Sequence, residues 1–355
     1  MKDSNFNQQK AEQFSESLVD ILNKGAIAIA LSLGHRCGIL AAMAGLPAAT
    51  SQQIADAAGL DERYVREWLG TMVTGRVVNY FPDTQTYQLP DEHAAFLTNE
   101  GEFNLASSMQ FIPIMGQVED KLVECFKNGG GVPYSEYPRF HEVMASESDQ
   151  TTVAALESHI IPLSPGLREK LEGGIDVLDV GCGSGRAMIT LATAFPNSRF
   201  AGYDFSEEAI SRADREAKTL GLSNVRFDIR DAASIGETEN YDLITSFDSI
   251  HDQANPAAML ASISQALRPG GAYLIQDIAG SSHIEKNLEH PVGPFVYTIS
   301  LTHCMTVSLA YGGDGLGAMW GEEKAVEMLN AAGFANVSKH RLDHDFMNTY
   351  YVATK

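Results

Sequence analysis

The stretch VLDVGCGSGRAMITLATAFPNSRFAGYD, from Val177 to Asp204, constrains this chain more than any other. Three glycines fall within five residues, directly after an apolar run and directly before a helical one, and the stretch ends on an acid. Ile175 to Val180 is apolar enough for a central strand of a parallel sheet. Gly181, Gly183 and Gly185 let the backbone turn sharply into a helix starting near Arg186, and let a ligand come close to that backbone. A strand, a glycine turn and a helix in this order imply an α/β domain.

The spacing narrows the ligand. A dinucleotide fingerprint needs glycine where this chain has Arg186, and a phosphate-cradling loop needs a Gly-Lys-Ser/Thr that is absent. The next strand, SRFAGYD, ends in Asp204, about twenty residues past the turn, where an acid in such a sheet accepts hydrogen bonds from ribose hydroxyls. A third strand, NVRFDIRDAA, brings Asp231 to the next rim position, suited to an exocyclic amine, while Asp228 reads as a solvated strand residue. The expected ligand is an adenosine without phosphates.

Before Leu171 the periodicity is helical almost throughout; after it, short β-rich runs alternate with helices. We therefore expect a domain over 1–103, a helical linker lining the pocket over 104–170, and the α/β domain over 171–355. In the first part, Thr50 or Ser51 caps a helix to Ala58, Gly59 breaks it, Asp61 caps a second to about Val73, and two short strands flank FPDTQT, a winged helix-turn-helix pattern. From Asp61 to Pro90, Asp61, Glu62, Glu67 and Asp83 oppose Arg63, Arg66 and Arg76, so no basic stripe is present. With a formal charge of −21, nucleic acid is a poor partner for this chain. Gly25 to Leu33 reads as a buried helix too short to span a bilayer, and the polar N-terminus lacks the apolar core of a signal peptide. Cys37, Cys125, Cys182 and Cys304 are scattered without disulfide or metal-ligand spacing. The expectations are a cytoplasmic protein, no membrane and no metal.

In order and spacing, VLDVGCGSG, GYDFSEEAI, DAASI, YDLITSFDSIHD and LRPGGAYLIQD resemble the motif series of class I S-adenosylmethionine-dependent methyltransferases, over Val177 to Asp277. The resemblance implies a Rossmann-like sheet preceded by the helical, winged-helix domain, with S-adenosyl-L-methionine as cofactor and S-adenosyl-L-homocysteine as product. It places Gly181 and Gly183 at the methionyl part, Asp204 at the ribose, Asp231 and Ala232 at the adenine edge, and Phe247 near the methionyl chain, with Cys182 and Phe205 also among the cofactor-binding residues. Of these, Cys182 reads as a small residue in a tight loop, and Gly185 as a helix-packing residue.

The order of domains is similar to that of small-molecule O-methyltransferases with an N-terminal winged-helix dimerisation domain. In those, a His-Asp pair follows the fourth strand and the histidine is the general base; His251 and Asp252 match it, with Gln253 where a tryptophan is common. Imidazole, with an ordinary pKa of about 6.5, suits that task. Asp277, at the end of the fifth strand, is the expected orienter. The same resemblance offers Phe140, Met144, Tyr297, His303, Met305 and Trp320 for an aromatic or polycyclic acceptor's pocket, and implies a homodimer. GGDGLG reads as a mobile loop, and His340 to Asp345 as solvated surface. Two alternatives stay open: a regulator that senses the cofactor without catalysis, and an N-methyltransferase.

Overall fold

The computed structural model describes residues 6–99 and 103–355. The chain forms two compact units, Met1–Gly116 and Gln117–Lys355. Of the segment expected as a linker, the helices Leu105–Ser108 and Phe111–Gly116 fall in the first unit, and everything from Glu119 onward in the second.

In the first unit the predicted caps form. Thr50 and Gln53 build a reciprocal capping box on the helix Ser51–Ala58, Gly59 ends it at φ 67°, and Asp61 caps Glu62–Thr74. The wing is a hairpin of β1 (Asn79–Phe81) and β2 (Thr86–Gln88). On Glu62–Thr74, Arg63 pairs with Glu67 and Arg66 with Glu62, so those arginines are partly neutralised by their own helix.

The long helix Gln8–Arg36 departs from expectation. It incorporates Gly25 to Leu33, yet of its residues only Ala30, Leu31, Ser32 and Gly34 are buried. Phe14, Leu18, Ile21, Leu22, Ile29 and Leu33 are exposed and, at helical spacing, fall along one side. Apolar content was legible in the sequence, but whether anything covers it was not. By length and composition this helix is sufficient to cross a membrane, which the short apolar stretch alone is not.

The second unit is built on a seven-stranded sheet: β3 (Asp176–Val180), β4 (Arg199–Asp204), β5 (Val225–Ile229), β6 (Tyr241–Phe247), β7 (Leu267–Ile278), β8 (Asn336–Leu342) and β9 (Asp345–Thr354), in the order β5-β4-β3-β6-β7-β9-β8. β3 to β7 run parallel; β9 is antiparallel to both β7 and β8. Alternate strand residues enter different apolar cores: Val177, Phe200, Leu243 and Leu274 one, Leu178, Ala201, Ile244 and Ile275 the other. The chain leaves β3 toward β4 and β5, then returns to place β6 on β3's other side. That reversal opens a crevice at the carboxyl ends of β3 and β6, where open α/β sheets bind ligands.

Two further expectations are corrected. GGDGLG is tied down: Asp314 N donates to Ala254 O, Gly315 N to Ser308 Oγ and Gly317 N to His251 O. Its glycines permit close approach, since a Cβ on Gly313 would lie 2.4 Å from Ala254 Cα. The segment His340 to Asp345 is not uniformly solvated, because β8 ends at Leu342 and the chain turns inward: Asp345 is buried and accepts from Tyr350 Oη, Asn348 Nδ2 and Met347 N.

Candidate active site

The glycine turn follows β3 with all three glycines at positive φ: Gly181 at 75°, Gly183 at 50° and Gly185 at 73°. Their reasons differ. A Cβ on Gly181 would meet Ser249 Cβ at 2.4 Å, and one on Gly185 would meet the Phe227 ring at 2.4 Å. At Gly183 there is nothing within 4 Å, so a side chain would project into open space. That space is a pocket of about 110 Å³, whose walls include His141, Met144, Asp179, Gly181, Cys182, Gly183, Ser184, Arg186 and Phe247. Burial raises the Cys182 thiol well above the ordinary range, as expected of a packing residue rather than a nucleophile.

Asp204 has more partners than the sequence suggested. Its Oδ2 accepts from Gly183 N at 2.9 Å and its Oδ1 from Ser206 N at 2.8 Å, so the acid at the end of β4 is bonded to the glycine turn after β3. Each oxygen retains a further lone pair for a ligand. Burial raises its pKa, opposed by the N–H groups of Ser206 and Gly183. Asp231 is exposed and its Oδ1 caps the turn Ala232–Ser234 through Ala233 N; Ala232 is buried in the core. Phe205 is 49% exposed, its ring 5.9 Å from that of Tyr134.

The second focus lies at the ends of β6 and β7. His251 Nδ1 is 2.7 Å from Asp277 Oδ1, and both residues are buried. The same oxygen accepts from Ile278 N at 2.8 Å and Trp320 Nε1 at 3.1 Å. Burial opposes a charge on His251, but the Asp277 carboxylate prevails, and with Cys304 alongside raises the ring well above the ordinary histidine range. Gln253 Nε2 donates to Ser249 O and Asp252 Oδ1, holding the turn that follows β6. Asp248, His251 and Asp277 present atoms all within 4.8 Å of one another, a metal-ligand spacing.

Beside this pair stands an aromatic wall. His303, in the π-helical turn Ser300–Cys304, stacks on Phe140 with ring centroids 3.5 Å apart, and Tyr134 and Tyr137 meet it edge-on. Both ring nitrogens of His303 are buried without a hydrogen-bond partner, and burial, with repulsion from His251 and His141, keeps the ring neutral. Tyr134 in turn stacks on His141 of the pocket wall. Tyr297 instead receives a hydrogen bond from Asn287, while Met305 begins the helix Met305–Ala310.

Sequence reading passed over Asp179, Asp248, Tyr134 and His141. Asp179 left a trace, an acid inside the apolar VLDV. It is buried, accepts from Thr245 Oγ1, and burial raises it to about 7. Arg186 is also new: it grips Asp149 with Nε and Nη2, and bonds Glu216 through Nη1, fastening the helix after the glycine turn to the π-helical turn Asp149–Val153.

Comparison with known proteins bears on the families and the fold. Residues 25–99 match the family described as Rv2258c-like winged HTH domain, and residues 171–333 the family described as Methyltransferase domain. Among curated relatives, the fatty-acid O-methyltransferase of Mycolicibacterium smegmatis is 31% identical over 104 residues, 29% of this chain and 37% of that protein. The (S)-coclaurine N-methyltransferase of Papaver somniferum is 27% identical over 31% of this chain and 32% of its own. The chain thus spans less than half the length of these relatives. Over nearly the whole chain, the fold is similar to human N-acetylserotonin methyltransferase solved in complex with SAM (TM-score 0.71, 15% identity, 99% of each chain). It is also similar to a mitomycin 7-O-methyltransferase (TM-score 0.72, 16% identity, 98% of this chain and 100% of that one).

Proposed function

We propose, from the premise that this chain is a class I methyltransferase domain joined to a winged helix-turn-helix domain, that it transfers a methyl group from S-adenosylmethionine to a hydroxyl of a small aromatic or polycyclic acceptor. The observation that carries the reading is the buried His251–Asp277 pair on the rim of the sheet that holds the glycine turn.

The residues present fit that cofactor. The open face above Gly183, the remaining lone pairs of Asp204 and the buried acid Asp179 suit a small backbone-contacting group with a diol and an ammonium, and no phosphate-binding spacing competes. When bound, S-adenosylmethionine supplies an already activated methyl group on a sulfonium. What the protein must add is alignment, exclusion of water and removal of the acceptor's proton.

His251 can take that proton. Asp277 accepts from Nδ1–H, which fixes the tautomer and leaves Nε2 as the basic nitrogen. Trp320 and the Ile278 amide hold Asp277 in place. Phe140, Tyr134, Tyr137 and His303 pack on one another as an aromatic wall near the histidine, and we take an aromatic acceptor to lie against that wall. Met144 lines the cofactor pocket. We take the partner of the exposed stripe on Gln8–Arg36 to be a second copy of the chain.

The test is a turnover assay against a panel of catechols, phenols and hydroxylated polyketides. H251Q should bind S-adenosylhomocysteine as the unmodified enzyme does, while turnover of a hydroxyl acceptor falls about 10²–10⁴-fold. Full turnover in H251Q would refute the base, and activity confined to amines would replace oxygen by nitrogen as the methylated atom. Submicromolar, salt-sensitive binding to duplex DNA without turnover would favour a regulator.

A further inference from the structure

All three donors to Asp277 converge on Oδ1, leaving Oδ2 buried with no hydrogen-bond partner. A second buried oxygen without a partner lies in the same cluster, Asp248 Oδ1. Burying two acceptors without partners is costly, and two carboxyls that present oxygens within 4.8 Å of one another in a dry site resist carrying two charges. One proton resolves both problems, because it turns one bare acceptor into a donor for the other.

The surroundings indicate which carboxyl carries it. Asp248 receives one side-chain donor, Gln276 Nε2, on Oδ2 at 2.9 Å; Gln276 is itself oriented by Thr152 Oγ1, which donates to Gln276 Oε1 at 2.6 Å. This chain of bonds fixes Oδ2 as the acceptor and leaves Oδ1 for a proton. The titratable groups facing Asp248 are Asp277 on β7, Asp252 in its own turn, Asp345 and Tyr350 on β9, and His251, the sole base among them. Asp248 also sits at φ 49°. Asp and Asn tolerate the left-handed region better than other residues with side chains, yet a strained backbone persists only where its surroundings enforce it.

We propose that Asp248 is a positioning residue for the His251–Asp277 pair, holding a proton on Oδ1 and donating it to Asp277 Oδ2 directly or through one water, so that Asp277 is gripped by both oxygens. Burial, and after it the charge of Asp277, pushes the Asp248 carboxyl up to about 8, which agrees with a neutral acid at working pH. The location of the proton stands on the geometry. Its effect on methyl transfer rests on the reading of His251 as the base.

The experiment has a spectroscopic and a kinetic arm. Difference infrared spectra of the resting full-length protein, unmodified against D248N, should contain a protonated-carboxyl band that belongs to the unmodified protein and disappears as pH rises through about 8. The subtraction removes the other raised acids, Asp179, Asp204 and Asp252. In the kinetic arm, D248G relieves the left-handed backbone but has no donor, and should lose about ten- to a hundredfold in kcat with cofactor KM little changed. D248N, whose amide can donate to Asp277 and whose backbone suits the position, should recover most of that loss and lack the titration seen in the unmodified enzyme.

Absence of the band, or equal losses in D248N and D248G, would overturn the proposal, as would a stoichiometric divalent ion whose removal abolishes activity. A band present in an enzyme whose H251Q variant keeps full turnover would uphold the proton and overturn its catalytic role.

Discussion

His251 and Asp277 lie 26 residues apart in sequence and belong to the ends of adjacent parallel strands, yet their Nδ1 and Oδ1 atoms meet at 2.7 Å in a site closed to solvent. An imidazole so held is a stronger base than a free one, and it is also protonated at higher pH.

The pH dependence follows from that. His251 is raised above the ordinary value of about 6.5, and only its neutral ring can accept a proton, so activity should climb as pH rises through the raised value. In D277N the charge that overcomes burial is gone, so the acid limb of kcat/KM should move to lower pH while turnover falls, less severely than in H251Q. A limb that stays put in D277N would separate the two residues.

Asp204 should serve both the ligand and the fold. D204A removes the acceptor of Gly183 N and Ser206 N as well as the ribose partner, and should weaken S-adenosylhomocysteine binding by about 1–3 kcal/mol, with a measurable fall in Tm. Unchanged affinity by calorimetry would remove Asp204 from the site. NAD should not compete.

The glycines of the turn should divide by consequence. G185A drives a Cβ into the Phe227 ring at a left-handed position and should destabilise the fold by about 1–3 kcal/mol. G183A meets no protein atom, so beyond a backbone cost of about 1 kcal/mol its effect should fall on cofactor affinity. Thermal melts with and without S-adenosylhomocysteine distinguish the two, and equal behaviour would contradict the assignment of Gly183 to the ligand.

The exposed stripe of Gln8–Arg36 should be a subunit contact. Light scattering should give about twice the 38.5 kDa chain mass, and the double variant L18E/L22E should give monomers with the second unit's melting transition intact. A monomeric unmodified protein would refute it; partition into lipid vesicles would assign the stripe to a membrane surface.

What the sequence made legible was local or set by the parallel sheet. Caps at Thr50 and Asp61, and the turn at Gly181 to Gly185, each lie within a few residues, and strand ends of one direction share a rim, so Asp204, His251 and Asp277 could be aligned without coordinates. What stayed hidden depends on partners distant in sequence. Asp248 shows its partners only once Gln276 and Asp277 are brought beside it, and Tyr134 only once it stacks on His141. GGDGLG has the composition of a mobile loop; its bonds to His251 and Ala254 are tertiary.

Strand order adds a constraint on biogenesis. β9 is made after β8 but lies between β8 and β7, the strand that carries Asp277. Until β9 is synthesised, one edge of β7 has no neighbour, and the backbone groups that later pair from Ala272 to Ile278 stay open to other chains. A ribosome stalled before β9 would expose a ready template for aggregation, with Asp277, the hydrogen-bond partner of His251, on an unfinished edge. The neighbour that flanks Asp277 and protection from misassembly thus arrive with the same ten residues.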